Sequence, residues 1–370
     1  MDTNIMRHFF IFNSVNIILM SLSFNFLESY LPTLIKRAFL YGKFSVKTPH
    51  TIAAKLEVPK RWFRHFYIFC APLMTITLCL LSYKNLYNVN IPEIVFTLLD
   101  TLLGTSRKPL ISAEDAFLAV VILNIHCWKR FYESCFINVY SNQKIHVFLY
   151  FIGFAHYIGI ILCILGESGG FVKDSHAILF LHKVTTVKLV CAFICLWASY
   201  EQLKTNFILA RLRKNSHGDI VSLEHKIPFD GLFKYIAGPL QLCEAIVYLM
   251  LSMILCQAST FHYITLWVIS NQVVCAYLSD QWYRKTFTNY PKERKIIIPY
   301  ICYNMQNNNR RRLKKIATNP APITANILRF LTSPLRAAAS QKDTHNHNNI
   351  GFHYKLSLRR SMNISYIAIW

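Results

Sequence analysis

The sequence predicts an all-α integral membrane protein with seven transmembrane helices. Of its 370 residues, 54% are hydrophobic and only 16% are charged, which is more apolar than an ordinary soluble domain. Apolar stretches long enough to form a membrane helix recur along the chain. Lys and Arg cluster between these stretches, as the positive-inside rule requires of a protein with several spans.

Each spanning helix needs about 20 mainly apolar residues. The candidate segments are 9–27, 66–82, 115–128, 146–166, 178–200, 235–257 and 263–283. The third is short, and the fifth contains Lys183 and Lys188. The first segment has no small-residue cleavage site, so we interpret it as a retained span and not as a signal peptide.

The loops between these segments carry unequal charge. Segments 28–65, 129–145 and 201–234 are rich in Lys and Arg, whereas the loops that alternate with them carry few. This alternation favours an odd number of spans, with the basic loops and the stretch after residue 283 in the cytosol. The net charge of +22 then reflects topology, and no nucleic-acid partner is expected, because the basic residues do not follow one soluble face.

The cysteines and histidines predict no metal site. Most of the 11 cysteines lie inside apolar stretches, and no Cys-x-x-Cys occurs. The histidines are not spaced around cysteines or carboxylates as zinc ligands would be. The cysteines are therefore interpreted as packing residues.

Residues 304–370 form a basic tail. Eleven Lys and Arg residues stand against the single acid Asp343, so the tail carries +10 of the net +22. It is interpreted as a disordered cytosolic extension, or as a cationic surface that touches anionic headgroups. The predicted organisation is a first transmembrane helix at 1–35, a transmembrane catalytic region at 36–303 and this extension.

Two segments predicted to be cytosolic, 206–235 and 280–299, combine basic and aromatic residues. Guanidinium groups pair with phosphate, and aromatic faces stack on a base, so the segments favour a phosphate-bearing ligand at the helix mouths. The alternative is that they are ordinary basic flanks with an aromatic belt. No Walker loop or G-x-G-x-x-G is present, so a nucleotide would have to bind between helices.

Polar residues inside apolar spans are costly and therefore informative. Glu244 and the pair Asn271-Gln272 lie within predicted spans. A buried carboxylate needs a partner, so Glu244 either holds an amide or hydroxyl of a ligand or pairs with another helix.

The end of the third span carries four polar residues at helical spacing. His126, Lys129, Arg130 and Glu133 stand at i, i+3, i+4 and i+7, which places all four on one helical face. The alternative is that Arg130 and Glu133 are an ordinary ion pair at the membrane interface.

Several motifs, in order, resemble the polyprenol reductase branch of the steroid 5-alpha-reductase family. They are Tyr41-Gly-Lys43, Val58-Pro-Lys-Arg-Trp-Phe-Arg-His-Phe-Tyr67, Lys129-Arg-Phe-Tyr-Glu133, Leu212-Arg-Lys-Asn215, His225-Lys-Ile-Pro-Phe-Asp-Gly-Leu-Phe-Lys-Tyr235 and Tyr290-Pro-Lys-Glu-Arg-Lys-Ile-Ile-Ile-Pro299. The resemblance covers roughly residues 36–303.

This resemblance implies a multi-pass endoplasmic-reticulum enzyme with a cytosolic C-terminus. It implies that NADPH, bound at the cytosolic helix mouths, reduces the alpha-isoprene double bond of polyprenol or polyprenal on the route to dolichol and protein N-glycosylation. The implied partners are the polyprenyl lipid and the membrane, with no obligate protein partner. The alternatives are a catalytically impaired member that binds NADPH or polyprenyl lipid, a 3-oxo-5-alpha-steroid dehydrogenase, or a seven-helix receptor or transporter.

The resemblance also implies roles for individual residues. The catalytic positions are Arg130, Glu133 and Tyr283, and the cofactor contacts are Asn142, Gln202, Asn206, Arg213, His225, Lys226, Glu244, Asn271 and Tyr283. Two places depart from the family pattern. Leu240-Gln241 follow Pro239, where the family has Asn or His and then an aromatic residue. Asp280 replaces a His, and an acid there is expected to repel cofactor phosphates and cannot donate as an imidazole does.

Overall fold

The computed structural model describes residues 2–39 and 54–297, and most of these residues are helical. The helices are α1 (Ile5–Leu27), α2 (Thr33–Phe39), α3 (Phe63–Tyr87), α4 (Glu93–Leu103), α5 (Ala113–Tyr132), α6 (Val147–Gly166), α7 (Thr186–Arg211), α8 (Pro239–Ile254) and α9 (Phe261–Thr286). Two short strands, β1 (Glu57–Pro59) and β2 (Lys144–His146), pair antiparallel. The predicted tail 304–370 and the motif Tyr41-Gly-Lys43 lie outside the described residues.

A helix overlaps each of the seven segments that the sequence singled out, namely α1, α3, α5, α6, α7, α8 and α9. Within the described residues, three helical stretches are long and apolar enough to cross a membrane: Ile5–Leu27, Lys60–Tyr87 and Val147–Gly166. Helix α8 is apolar but shorter. The helices indicate a membrane protein, and the number of seven spans stays a prediction.

The fifth helix is displaced from its predicted position. The sequence placed it at 178–200, but α7 begins at Thr186 and continues to Arg211. Lys188, in the first turn of α7, forms an ion pair of 2.6 Å with Asp115 at the start of α5. The pairing offsets the charge of a lysine in an apolar helix. Residues 178–185 precede the helix. As a result, Gln202 and Asn206 are helical residues and do not belong to a loop.

The helices pack pairwise around one main apolar core. Helix α7 packs along α8, α3 along α5, and α1 along α9, which also contacts α8. Helix α6 approaches its neighbours closely through glycine: a Cβ atom on Gly153 would lie 2.7 Å from the ring of Phe66 in α3, and one on Gly159 would lie 2.7 Å from the ring of Phe10 in α1. Side chains larger than hydrogen at these positions would push the helices apart.

Helix α5 ends in an unusual turn. Residues Glu133–Ile137 form a π-helical turn, and the backbone N–H of Asn138 donates to the carbonyl of Glu133 at 2.8 Å. Such turns hold one residue more than an α-helical turn and often occur at functional sites. This turn carries the chain from the polar stripe of α5 into the segment 138–143.

Candidate active site

A cavity of about 270 Å³ lies where α3 and α8 begin and where α5, α7 and α9 end. Its walls come from these five helices, from the segment 138–143 that succeeds the π-helical turn, and from the segment 225–226. Described residues of the basic segments that the sequence assigned to the cytosol, such as Lys60, Arg130 and Arg213, meet at this end of the bundle. The helix mouths named in the sequence therefore share one cavity.

Most of the predicted site residues line this cavity. Those with side chains in its wall are Arg130, Gln202, Asn206, Arg213, His225, Lys226, Glu244 and Tyr283. Three others lie outside the described lining. Glu133 is fully buried behind Arg130, Asn142 is exposed between two lining residues, and Asn271 is buried beside Gln272, which does line the cavity. The roles of all of them stay predictions.

Glu133 anchors a buried cluster of charges at the inner end of the cavity. Its side chain has no exposed surface, and its two carboxylate oxygens lie 2.7 Å from Arg130 Nη1 and 3.3 Å from Lys129 Nζ. Both cations belong to the same helix as Glu133. The predicted stripe on α5 therefore exists, and it points into the bundle.

Glu244 extends this cluster across two more helices. Gln202 Nε2 donates to Glu244 Oε2 at 2.6 Å, and Lys129 Nζ donates to Gln202 Oε1. His126 Nε2 lies 3.7 Å from Glu244 Oε2, and its Nδ1 lies 2.8 Å from Ser199 Oγ. Two cations and two carboxylates balance one another, as buried charges must. Glu244 therefore pairs across helices. It also lines the cavity, and a contact with a ligand stays a prediction.

The outer part of the cavity is cationic. Arg213 donates from Nη2 to His225 Nδ1 at 2.6 Å, from Nη1 to the carbonyl of Val139 at 2.9 Å, and from Nε to the carbonyl of Glu224 at 3.2 Å. Burial lowers the pKa of the Arg213 guanidinium, but an arginine stays charged at neutral pH. Since a guanidinium only donates, the ring nitrogen of His225 in this contact is the acceptor. Lys226 adds a second cation to the wall.

Aromatic rings stand beside these cations. Tyr283 stacks on Tyr290 with the ring centroids 5.4 Å apart and the planes at 6°, and Phe287 lies against the same ring at 6.0 Å. His225 meets Trp282 edge to face at 5.3 Å. Burial raises the pKa of Tyr290, so this stack is uncharged at neutral pH. Cations beside flat apolar faces suit a ligand that joins phosphates to an aromatic ring.

Asn206 holds an unused hydrogen-bond donor in the cavity wall. The residue is 5% exposed, and its Nδ2 atom has no partner within the described part of the chain. Buried polar atoms are nearly always paired, so such an atom in a cavity wall fits an oxygen acceptor on a ligand. Amide, guanidinium, ammonium and imidazole donors together suit a ligand that carries phosphate, hydroxyl and amide groups.

Asp280 does not face the cavity. Its side chain is 1% exposed, its Oδ2 lies 2.7 Å from Arg284 Nε, and Tyr290 Oη donates to its Oδ1 at 3.4 Å. The ion pair offsets the negative charge, which weakens the expected repulsion of cofactor phosphates. The other departure lies in the wall itself, because Leu240 and Gln241 both line the cavity.

Helix α3 supplies wall residues to which the sequence analysis gave no role. Lys60, just before the helix, and Phe63 and Tyr67 within it line the cavity at spacings of three and four residues, on one helical face. Arg130 donates to the hydroxyl of Tyr67 from Nη2 at 2.7 Å and from Nε at 3.2 Å. All three belong to the Val58–Tyr67 motif, and their spacing was a signal that could have identified them.

Comparison with known proteins first identifies the class. Residues 143–302 match the family model described as 3-oxo-5-alpha-steroid 4-dehydrogenase, and this segment includes most of the cavity wall. The chain is therefore an oxidoreductase of the steroid 5-alpha-reductase type that acts on a CH–CH group.

Individual relatives then identify the branch. The chain is 34% identical over 282 residues to a polyprenal reductase of Drosophila melanogaster, and the alignment covers 75% of this chain and 86% of that protein. It is 32% identical over 278 residues to the one of Caenorhabditis elegans (72% and 87%) and 30% identical over 273 residues to the human one (70% and 84%). The chain belongs to the polyprenal reductase branch of the steroid 5-alpha-reductase family.

Proposed function

We propose that this protein uses NADPH to reduce the alpha-isoprene double bond of polyprenal or polyprenol in the endoplasmic-reticulum membrane, on the route to dolichol and protein N-glycosylation. The names of its relatives support the substrate class. The observation that carries the proposal is the cavity, whose cationic aromatic mouth leads to a charge-balanced polar interior within an apolar bundle.

Different wall residues would contact the different groups of such a cofactor. Arg213 and Lys226 would hold its phosphates, and Tyr283 would flank a ring. Asn206, Gln202 and Glu244 would meet its ribose and carboxamide groups. Bound there, NADPH supplies a hydride, while the buried cluster around Glu133 holds Arg130 in place at the inner wall.

The chemistry favours the aldehyde over the alcohol. A hydride adds to a carbon–carbon double bond only when a conjugated group draws electrons from it, and a hydrogen-bond donor at the carbonyl oxygen strengthens that pull. Polyprenal has such a carbonyl group and polyprenol lacks it. A 3-oxo steroid with a conjugated double bond meets the same requirement, so it is the second candidate substrate.

The decisive experiment uses membranes from a reductase-null host that expresses the full chain. NADPH is supplied with polyprenal, polyprenol or a conjugated 3-oxo steroid, and saturated products are identified by mass spectrometry. We expect saturated product from polyprenal, and Asp280→His is assayed alongside. Cofactor binding without any product would favour the impaired family member, which the departures at Leu240, Gln241 and Asp280 suggest.

The proposal includes a topology in which the cavity mouth faces the cytosol, where NADPH is available. The turn around Gly218 offers a test, because it is exposed and no atom lies within 4 Å of a Cβ built there. We expect that a glycosylation acceptor inserted in this turn stays unmodified in cells. Modification would place the mouth in the lumen and contradict the proposed topology.

A further inference from the structure

Tyr67 lies at the inner part of the cavity wall. It is one turn deeper along α3 than Phe63, and its residue surface is 4% exposed, yet it forms part of the lining. The groups around it are Arg130 on α5 and Tyr157 on α6. The ring of Tyr157 meets the ring of Tyr67 edge to face at 5.9 Å.

The hydroxyl oxygen of Tyr67 acts as a double acceptor. Two nitrogens of Arg130 donate to it, Nη2 at 2.7 Å and Nε at 3.2 Å. A guanidinium has no acceptor atom, so the proton of the phenol cannot point back at Arg130. It is directed either towards Tyr157, whose ring meets that of Tyr67 edge to face, or to an acceptor in the cavity.

Arg130 is held where it can support a negative oxygen. Its third donor, Nη1, is bound by Glu133 at 2.7 Å, so the guanidinium cannot turn away from Tyr67 without breaking a buried ion pair. A cation in direct contact stabilises the phenolate that remains when a tyrosine gives up its proton. The phenol of Tyr67, the guanidinium of Arg130 and the carboxylate of Glu133 are thus hydrogen bonded in series from the cavity wall into the core.

We propose that Tyr67 is a catalytic residue, which donates its phenol proton to the aldehyde oxygen of polyprenal while Arg130 stabilises the resulting charge. The inference rests on the proposed function. The β-carbon of the conjugated aldehyde accepts a hydride from a reduced nicotinamide dinucleotide, and the π electrons move to the oxygen, which takes the proton of Tyr67. A solvent proton then adds to the α-carbon, and the oxygen returns its proton to the phenolate. The net addition is one hydride and one proton, and Tyr67 is regenerated.

The test compares two identical substitutions. Tyr67→Phe removes the proposed donor and keeps the ring. Tyr150→Phe is the matched control, because its hydroxyl also bonds a neighbour, His65 Nδ1 at 3.0 Å, but does not belong to the cavity lining. For Tyr67→Phe we expect kcat with polyprenal to fall about 100- to 1,000-fold, as when one oxyanion donor is lost. We expect KM and the Kd for NADPH to change no more than about threefold, and the control to keep its kcat within the same limit.

Each outcome decides the matter. A kcat of Tyr67→Phe within about threefold of an active wild type overturns this inference and leaves the proposed function intact. A wild type that reduces no polyprenal overturns both. If Tyr67→Phe does not fold, 3-fluorotyrosine at position 67 keeps the hydroxyl and makes it more acidic. The pH profile of the single-turnover rate must then move to lower pH, and an unchanged profile overturns the inference.

Discussion

Glu133→Gln is expected to destabilise the protein by about 3–5 kcal/mol, the loss that results when one partner of a buried ion pair is removed. Glu133 has no exposed side-chain surface, and its carboxylate oxygens lie 2.7 Å from Arg130 and 3.3 Å from Lys129. Glutamine keeps the shape of the side chain but removes its charge. Two buried cations would then face each other with no carboxylate between them.

The chain offers a matched control in Glu201→Gln. Glu201 pairs with Lys204 at the same spacing of three residues and at 2.8 Å, but the Lys204 side chain is 49% exposed. Exposed ion pairs contribute roughly 0.2–1 kcal/mol. The same substitution at the two sites therefore separates the effect of burial from the effect of the chemical change.

The two variants can be compared by thermal unfolding in detergent micelles. With an unfolding entropy of about 2.1 cal/mol/K per residue, a loss of about 3–5 kcal/mol over 370 residues lowers the melting temperature by about 4–6 °C. We expect a shift of about 1 °C or less for Glu201→Gln. Equal shifts in the two variants would refute the claim that Glu133 balances buried charge.

Three further predictions concern single contacts. Asn206→Leu should weaken NADPH binding about tenfold, or about 1.4 kcal/mol, with little loss of stability because its Nδ2 has no partner in the described chain. Isothermal titration measures the Kd, with Asn16→Leu as a control on the exposed side of α1, and an unchanged Kd for Asn206→Leu would contradict the prediction. Asp280→Asn should lower the stability by about 1–3 kcal/mol because Arg284 loses its partner at 2.7 Å. It should not strengthen cofactor binding because the carboxylate lies outside the cavity lining, and a clearly lower Kd for the cofactor would show that Asp280 does repel the phosphates. Asp115→Asn should lower the stability by roughly 1.5–3 kcal/mol because Lys188 is left at the start of α7 without its carboxylate. A melting temperature equal to that of the wild type would show that the pair contributes nothing to stability.

Local sequence pattern was sufficient to indicate seven of the helices and part of the site. Apolar runs indicated the positions of seven helices, and helical spacing put Lys129, Arg130 and Glu133 on one face, where the structure shows them in contact. These features depend on residues close together in the chain. The cost of polar groups in apolar helices likewise marked Glu244, which bonds Gln202.

Features set by distant contacts were not predictable in this way. The ion pair near the start of α7 joins Lys188 to Asp115, which lies 73 residues away in the chain. Helix α4 was not predicted, because its 11 residues are too few to span a membrane, and it packs against α1 and α6 through residues such as Leu99 and Leu103. The contact between Tyr67 and Arg130 joins two helices, so the spacing within either helix could not show it.

The π-helical turn at Glu133–Ile137 makes the site sensitive to chain length as well as to side-chain identity. Each residue in a helix turns the chain by about 100°, so deleting one residue from this turn would rotate the segment 138–143 relative to Glu133. The carbonyl of Val139, which holds Arg213 at 2.9 Å, would move out of reach. A one-residue gap here would thus separate the proposed phosphate-binding side of the cavity from its proposed catalytic side, although every side chain of the site would still be present in the sequence.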